Sequence, residues 1–135
     1  MTKLAVGTVI KVYLTETKPP KEKRLIIIGE RFDCLYFATV FINSEINLNV
    51  FHSAELQSLN VFFEATGRSY LKHDSYVDCS KITSRKKSDI ENIIASDPSR
   101  ILGVISADDY KTLRQTIKNA RTISPAKKKE FGLFL

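Results

Sequence analysis

After Gly7 the side chains alternate, with Val9, Lys11 and Tyr13 on one side and Ile10, Val12 and Leu14 on the other. A period of two, rich in β-branched residues, predicts a strand. Thr15 to Lys23 then interrupts the pattern with Pro19-Pro20 and several lysines. Proline cannot donate to a ladder, so this stretch reads as a loop. Arg24-Leu25-Ile26-Ile27-Ile28-Gly29 is a continuous apolar run of a length and branching that suit a buried strand. Glu30 to Asp33 reads as a turn, and Cys34 to Ile42 as another strand. That strand breaks at Asn43-Ser44-Glu45-Ile46-Asn47, where short polar side chains can bond their own backbone. Ser53-Ala54-Glu55-Leu56 suits a helical turn with Leu56 and Leu59 inward. Val61 to Ala65 and Asp74 to Ser80 read as two further short strands, joined through Gly67 to Lys72.

Near Ser88 the period changes. Ser88-Asp89-Ile90-Glu91 reads as a capping box, followed by Ile90, Ile93 and Ile94 on one helical face. Asp97-Pro98 stops that helix. Ile101 to Ile105 is short and apolar, which predicts a last strand. Ser106 caps a helix carrying Tyr110, Leu113, Ile117 and Ala120 at helical spacing. Ser124-Pro125 starts another, with proline in the first helical position. Strands followed by helices predict the α+β class. Short, densely connected strands favour a small closed or half-open antiparallel barrel, because closure removes exposed edges. The expected organisation is one domain over 1–135, with a barrel core at about 5–82 and C-terminal helices at about 88–135.

Composition narrows the possibilities. A chain of 135 residues with 43% apolar and 27% charged positions is long enough to bury a core without metal or disulfide support. No apolar run approaches the roughly 20 residues that cross a bilayer, and the first residues lack the apolar core of a signal peptide. A cytoplasmic protein with no membrane partner is expected. Cys34 lies in an apolar run and Cys79 in a short strand-like run, so both are expected to be reduced. There is no CxxC, no HExxH and no paired-histidine spacing, hence no metal is expected. G-x-S-x-G, P-loop and dinucleotide glycine patterns are also missing, so no cofactor is expected. A net charge of +6 draws the chain towards phosphate backbones.

Four segments carry candidate chemistry. Lys18, Lys21 and Lys23 lead into Arg24 at the mouth of the buried strand, and a guanidinium there can fork onto a phosphate. Asn43 and Ser44 end a strand, where an amide and a hydroxyl can converge on an oxyanion. His73 beside Asp74 can transfer a proton, because imidazole changes charge near neutrality. As neighbours in a strand, however, the two would face opposite ways. Asp78 would share the face of Asp74. Lys81 and Arg85 add cations, the latter just before the expected helix start at Ser88. The run Lys127-Lys128-Lys129 reads as helix surface.

The order of these features resembles the PemK/MazF family of toxin ribonucleases. The resemblance rests on Gly7-Thr8-Val9-Ile10, the basic loop Lys18 to Lys23, Arg24-Leu25-Ile26-Ile27-Ile28, Val40-Phe41-Ile42-Asn43-Ser44, the later strand Tyr76 to Ser80, and a closing helix from Ser106 to Ala120. Leu25 follows Arg24 where the family often has proline, and Asn43 stands at its threonine position. The resemblance implies a Src-homology-3-like antiparallel barrel, commonly dimeric, that cuts single-stranded RNA without metal and is held in check by an acidic antitoxin protein. It implies Arg24, Ser44, Asp78 and His73 as catalytic residues. Arg24 would stabilise the phosphorane and donate a proton, Asp78 or His73 would be the base, and Ser44 would orient the phosphate. Lys21, Lys23, Asn43, Lys81 and Arg85 would bind RNA. The alternative is a barrel that holds RNA or a protein partner without catalysis.

Overall fold

The structure, a computed structural model, describes residues 4–134. Its strands are β1 (Thr8–Leu14), β2 (Lys21–Glu30), β3 (Tyr36–Asn43), β4 (Asn60–Phe63), β5 (Ser75–Lys86) and β6 (Ile101–Val104). They form one curled antiparallel half-barrel in the order β4-β5-β3-β2-β1-β6. The helices are α1 (Ala54–Gln57), α2 (Lys87–Ser96), α3 (Ala107–Asn119) and α4 (Pro125–Glu130), with a 3-10 turn at Pro98–Arg100. The expected α+β class, with helices towards the C-terminus, is what the chain forms. Within that helical region β6 returns to pair with β1.

The sheet is covered on both faces, which explains the unbroken apolar run of β2. On one face Val9, Ile26, Ile28, Val40 and Val77 pack with Leu113 and Ile117 of α3 and with Phe131 and Leu133. On the other, Ile10, Val12, Leu25, Ile27 and Phe37 pack with Ile90 and Ile94 of α2. Leu25 to Ile28 are wholly buried. At about 1.5–3 kcal/mol per fully buried aliphatic side chain, each of these four residues contributes substantially to the core. Gly29 permits a close approach here, since a Cβ would lie 3.1 Å from the carbonyl oxygen of Phe131. The β2–β3 register also shifts between Ile27 and Gly29.

Several boundaries differ from the sequence reading. β2 starts at Lys21 rather than Arg24, because Lys21, Glu22 and Lys23 pair with Leu14, Tyr13 and Val12 of β1. Exposed ladder positions carry no apolar signal. β3 starts at Tyr36. Cys34 is exposed in the preceding turn at φ 62°, and Asp33 Oδ1 accepts from the Leu35 amide at 3.1 Å. β5 is longer than expected, running on to Lys86 against β3. α2 consequently starts at Lys87, directly from the strand, and Ser88 is not its cap. No side chain caps it; the Lys87 amide donates to the carbonyl of Leu35 at 2.9 Å instead. Ser106 and Ser124 do cap their helices, accepting from the amides of Asp109 and Lys127 at 3.0 and 3.2 Å.

Candidate functional site

The start of β2 and the end of β3 lie side by side, because Arg24 pairs with Ile42 in the ladder. The loop from Tyr70 into β5 closes over this end of the sheet. Arg24 is anchored there: its Nε donates to the Tyr70 carbonyl at 3.2 Å. Among the described residues it pairs with no carboxylate. A cleft of about 160 Å³ opens at this point, and Lys21, Lys23, Arg24, Asn43, Ser44 and His73 line it. Six residues singled out in three separate sequence segments therefore meet in one place.

His73 does not lie in a strand, so alternation does not govern it. Its Nδ1 lies 3.0 Å from the main-chain oxygen of Asp74. A carbonyl can only accept, so this contact places the proton on Nδ1 and leaves the Nε2 lone pair available. Asp74 precedes β5 and does not share a strand face with Asp78. Its Oδ1 accepts from the Ala65 amide at 2.8 Å, which ties the loop to the end of β4. Asp78 is buried and lines neither this cleft nor its neighbour. Its Oδ1 accepts from the amide and hydroxyl of Ser80, and its charge is felt by Lys23.

Lys23 joins two clefts. Its ammonium donates to Asn43 Oδ1. Partial burial lowers its pKa, the positive charge of Lys21 adds to that effect, and Asp78 opposes it. On its other side a second cleft, of about 320 Å³, contains Lys18, Lys21, Lys23, Phe41, Asn43 and Lys81. Arg85 stands behind it, with Nε donating to Thr39 Oγ1 at 3.0 Å and Nη1 to Glu16 at 2.7 Å. The Lys127–Lys129 run lies on α4, where Lys128 donates to the carbonyls of Lys118 and Ala120 near the end of α3.

Two parts of this site were not read from the sequence. Phe41 looks like one more core residue in a β run, yet it is only partly buried. The Tyr70 carbonyl that holds Arg24 leaves no mark in side-chain chemistry. Among the described residues no three His, Cys, Asp or Glu side chains gather as a metal site would need, and no helix is long and apolar enough to cross a membrane. The sequence matches no protein-family model and no curated protein.

Proposed function

We propose that this chain is a metal-independent endoribonuclease for single-stranded RNA, a divergent toxin of the PemK/MazF kind on a Src-homology-3-like barrel. The observation that carries the reading is that Arg24, Ser44 and His73 line one cleft with the cations Lys21 and Lys23. A cationic donor for the phosphate, a hydroxyl donor, a base and surplus positive charge are the parts that such cleavage requires.

In the proposed reaction His73 Nε2 takes the proton of a ribose 2′-hydroxyl, whose oxygen forms a bond to the adjacent phosphorus. The guanidinium of Arg24 stabilises the extra charge on the non-bridging oxygens, and the Ser44 hydroxyl donates to one of them. The bond from phosphorus to the 5′-oxygen then breaks. Lys23, whose burial makes it release a proton more readily than an exposed lysine, protonates that oxygen. The products are a 2′,3′-cyclic phosphate and a 5′-hydroxyl. His73 gains one proton and Lys23 loses one, and water restores both. Asp78 acts behind Lys23 through its charge in this scheme rather than as the base. The same reading expects an acidic antitoxin to cover the cationic clefts, and two copies of the chain to pair.

The test is incubation of the purified protein with a long single-stranded RNA in EDTA. Fragments ending in a 2′,3′-cyclic phosphate are expected, as is growth arrest when the protein is expressed alone in bacteria. RNA bound but left whole would overturn catalysis in favour of the binding module. RNA neither bound nor cut would overturn both.

A further inference from the structure

The Phe41 side chain is the centre of an unusual concentration of charge. Lys81 Nζ lies 5.2 Å from its ring centroid, Lys23 Nζ 5.5 Å and Arg85 Cζ 5.9 Å. Each contact is favourable alone, since a ring face attracts a cation. Together they crowd three like charges around one ring. Glu16 pairs with Arg85 at 2.7 Å, but Lys81 has no carboxylate partner among the described residues, and Arg85 Nη2 is buried without a hydrogen-bond partner. Cationic donors therefore outnumber the acceptors that the chain itself supplies. The second cleft, lined by Phe41 and Lys81, adjoins the Arg24 cleft, and Lys21, Lys23 and Asn43 line both.

We propose that Phe41 is a stacking platform for a nucleobase of single-stranded RNA, next to the cleft in which the strand is cut. This rests on the RNA reading above and adds to it a position where a base, not only a phosphate, is held. Lysine arms are long and flexible, so on binding Lys81 swings from the ring to a flanking phosphate and the base takes its place, while Lys23 stays on Asn43. Stacking on an aromatic ring tolerates any base, because each has a π-face. A duplex does not satisfy the site, since its bases are already stacked on each other. An acidic protein would satisfy the lysines but would leave the ring unused.

The chain contains no tryptophan, so Phe41→Trp introduces a single fluorescent reporter at the platform. The probes are a short 2′-O-methyl oligouridylate, which lacks the hydroxyl needed for cleavage, and the same backbone without bases. Oligouridylate is expected to quench the tryptophan at least about twofold while the abasic strand does not. In wild-type background, Phe41→Ala is expected to weaken oligouridylate binding about tenfold and abasic binding little, and Lys81→Ala to weaken both. Oligouridylate that binds by anisotropy without quenching overturns the platform and leaves the RNA reading standing. Equal losses for both probes in Phe41→Ala, or an equal quench by polyglutamate, also overturn it. Wild-type protein that binds neither strand overturns the RNA reading and the platform together.

Discussion

Lys23 and Asn43 face each other across β2 and β3, one step beyond the Arg24–Ile42 pair, and the ammonium of the first donates to the side-chain oxygen of the second. The contact fixes a half-buried cation where two clefts meet. It also sets a cost, because an ammonium withdrawn from water beside Lys21 is less stable than one in the unfolded chain.

That cost predicts a pH signature. The folded pKa of Lys23 is lowered from 10.5, so between the two values the unfolded chain binds more protons. Stability from this group therefore rises with pH across that window, and the penalty is fully present near neutrality. Lys23→Met removes the charge and keeps the apolar stem. It is expected to be more stable than wild type near neutral pH, with the difference shrinking towards about pH 10. Asn43 is half-buried, and water can replace its lost donor. Urea midpoints of both proteins at the two pH values decide it, and a variant less stable by the same margin at both would contradict the account.

The cysteines predict thiol labelling in two steps. Cys34 is exposed and Cys79 buried, and neither is bonded. Burial, with the charge of Asp78 behind it, pushes the Cys79 thiol up to about 12. The thiolate is the reactive form. A disulfide reagent at neutral pH is therefore expected to label Cys34 in the native protein and Cys79 only after unfolding. Rapid native labelling of both would show that the sheet opens easily.

The sequence revealed the periodic parts of this fold and the chemically distinctive parts of the cleft. Leu25 to Ile28 announced a strand buried on both faces, and the spacing of Leu113 and Ile117 announced α3. Arg24, Ser44 and His73 stood out as polar residues at breaks in apolar patterns, and such breaks are where sheet ends meet. Polar ladder residues were harder to place. Lys21 to Lys23 and Thr83 to Lys86 are strand because of their partners, Leu14 to Val12 and Thr39 to Tyr36, and no local preference says so. Ser88 had the spacing of a cap, but the Leu35 carbonyl took the amide of Lys87 and the cap position fell two residues earlier, at Lys86. Phe41 was hidden for the opposite reason, because an aromatic residue in a β run looks like core until its neighbours prove to be cations.

Gly29 should be hard to replace. An added Cβ would meet the carbonyl oxygen of Phe131 at 3.1 Å and the Phe131 Cβ at 3.3 Å. Neither is the end of a flexible side chain, so the backbone at Phe131 must give by a few tenths of an ångström. Gly29→Ala is expected to cost about 1–3 kcal/mol in urea unfolding. A loss below about 0.5 kcal/mol would mean that the C-terminal segment is packed more loosely than its burial implies.

On the proposed reaction, Arg24 is the residue whose loss should cost most. It is the one guanidinium lining the first cleft, its Nε is held by the Tyr70 carbonyl, and Ser44 and His73 line the same space. A cation fixed before the reaction needs no rearrangement as charge develops on the phosphorane. Its loss is expected to lower the cleavage rate roughly 10²- to 10³-fold. Arg24→Ala should therefore relieve growth arrest and leave RNA whole in EDTA. Arg24→Lys should restore activity only partly, since a point charge cannot reproduce the two parallel bonds of the fork. The competing account is that Arg24 merely ties the loop to the sheet. On that account Arg24→Ala would lose about 1 kcal/mol from one hydrogen bond, with no special demand on the cation's shape. Melting both variants beside the rate assay separates the two. A variant that folds like wild type and has lost cleavage supports the chemical role. Cleavage that persists in a well-folded Arg24→Ala protein would move the phosphate site elsewhere, with Lys23 at the junction of the clefts as the next cation to replace.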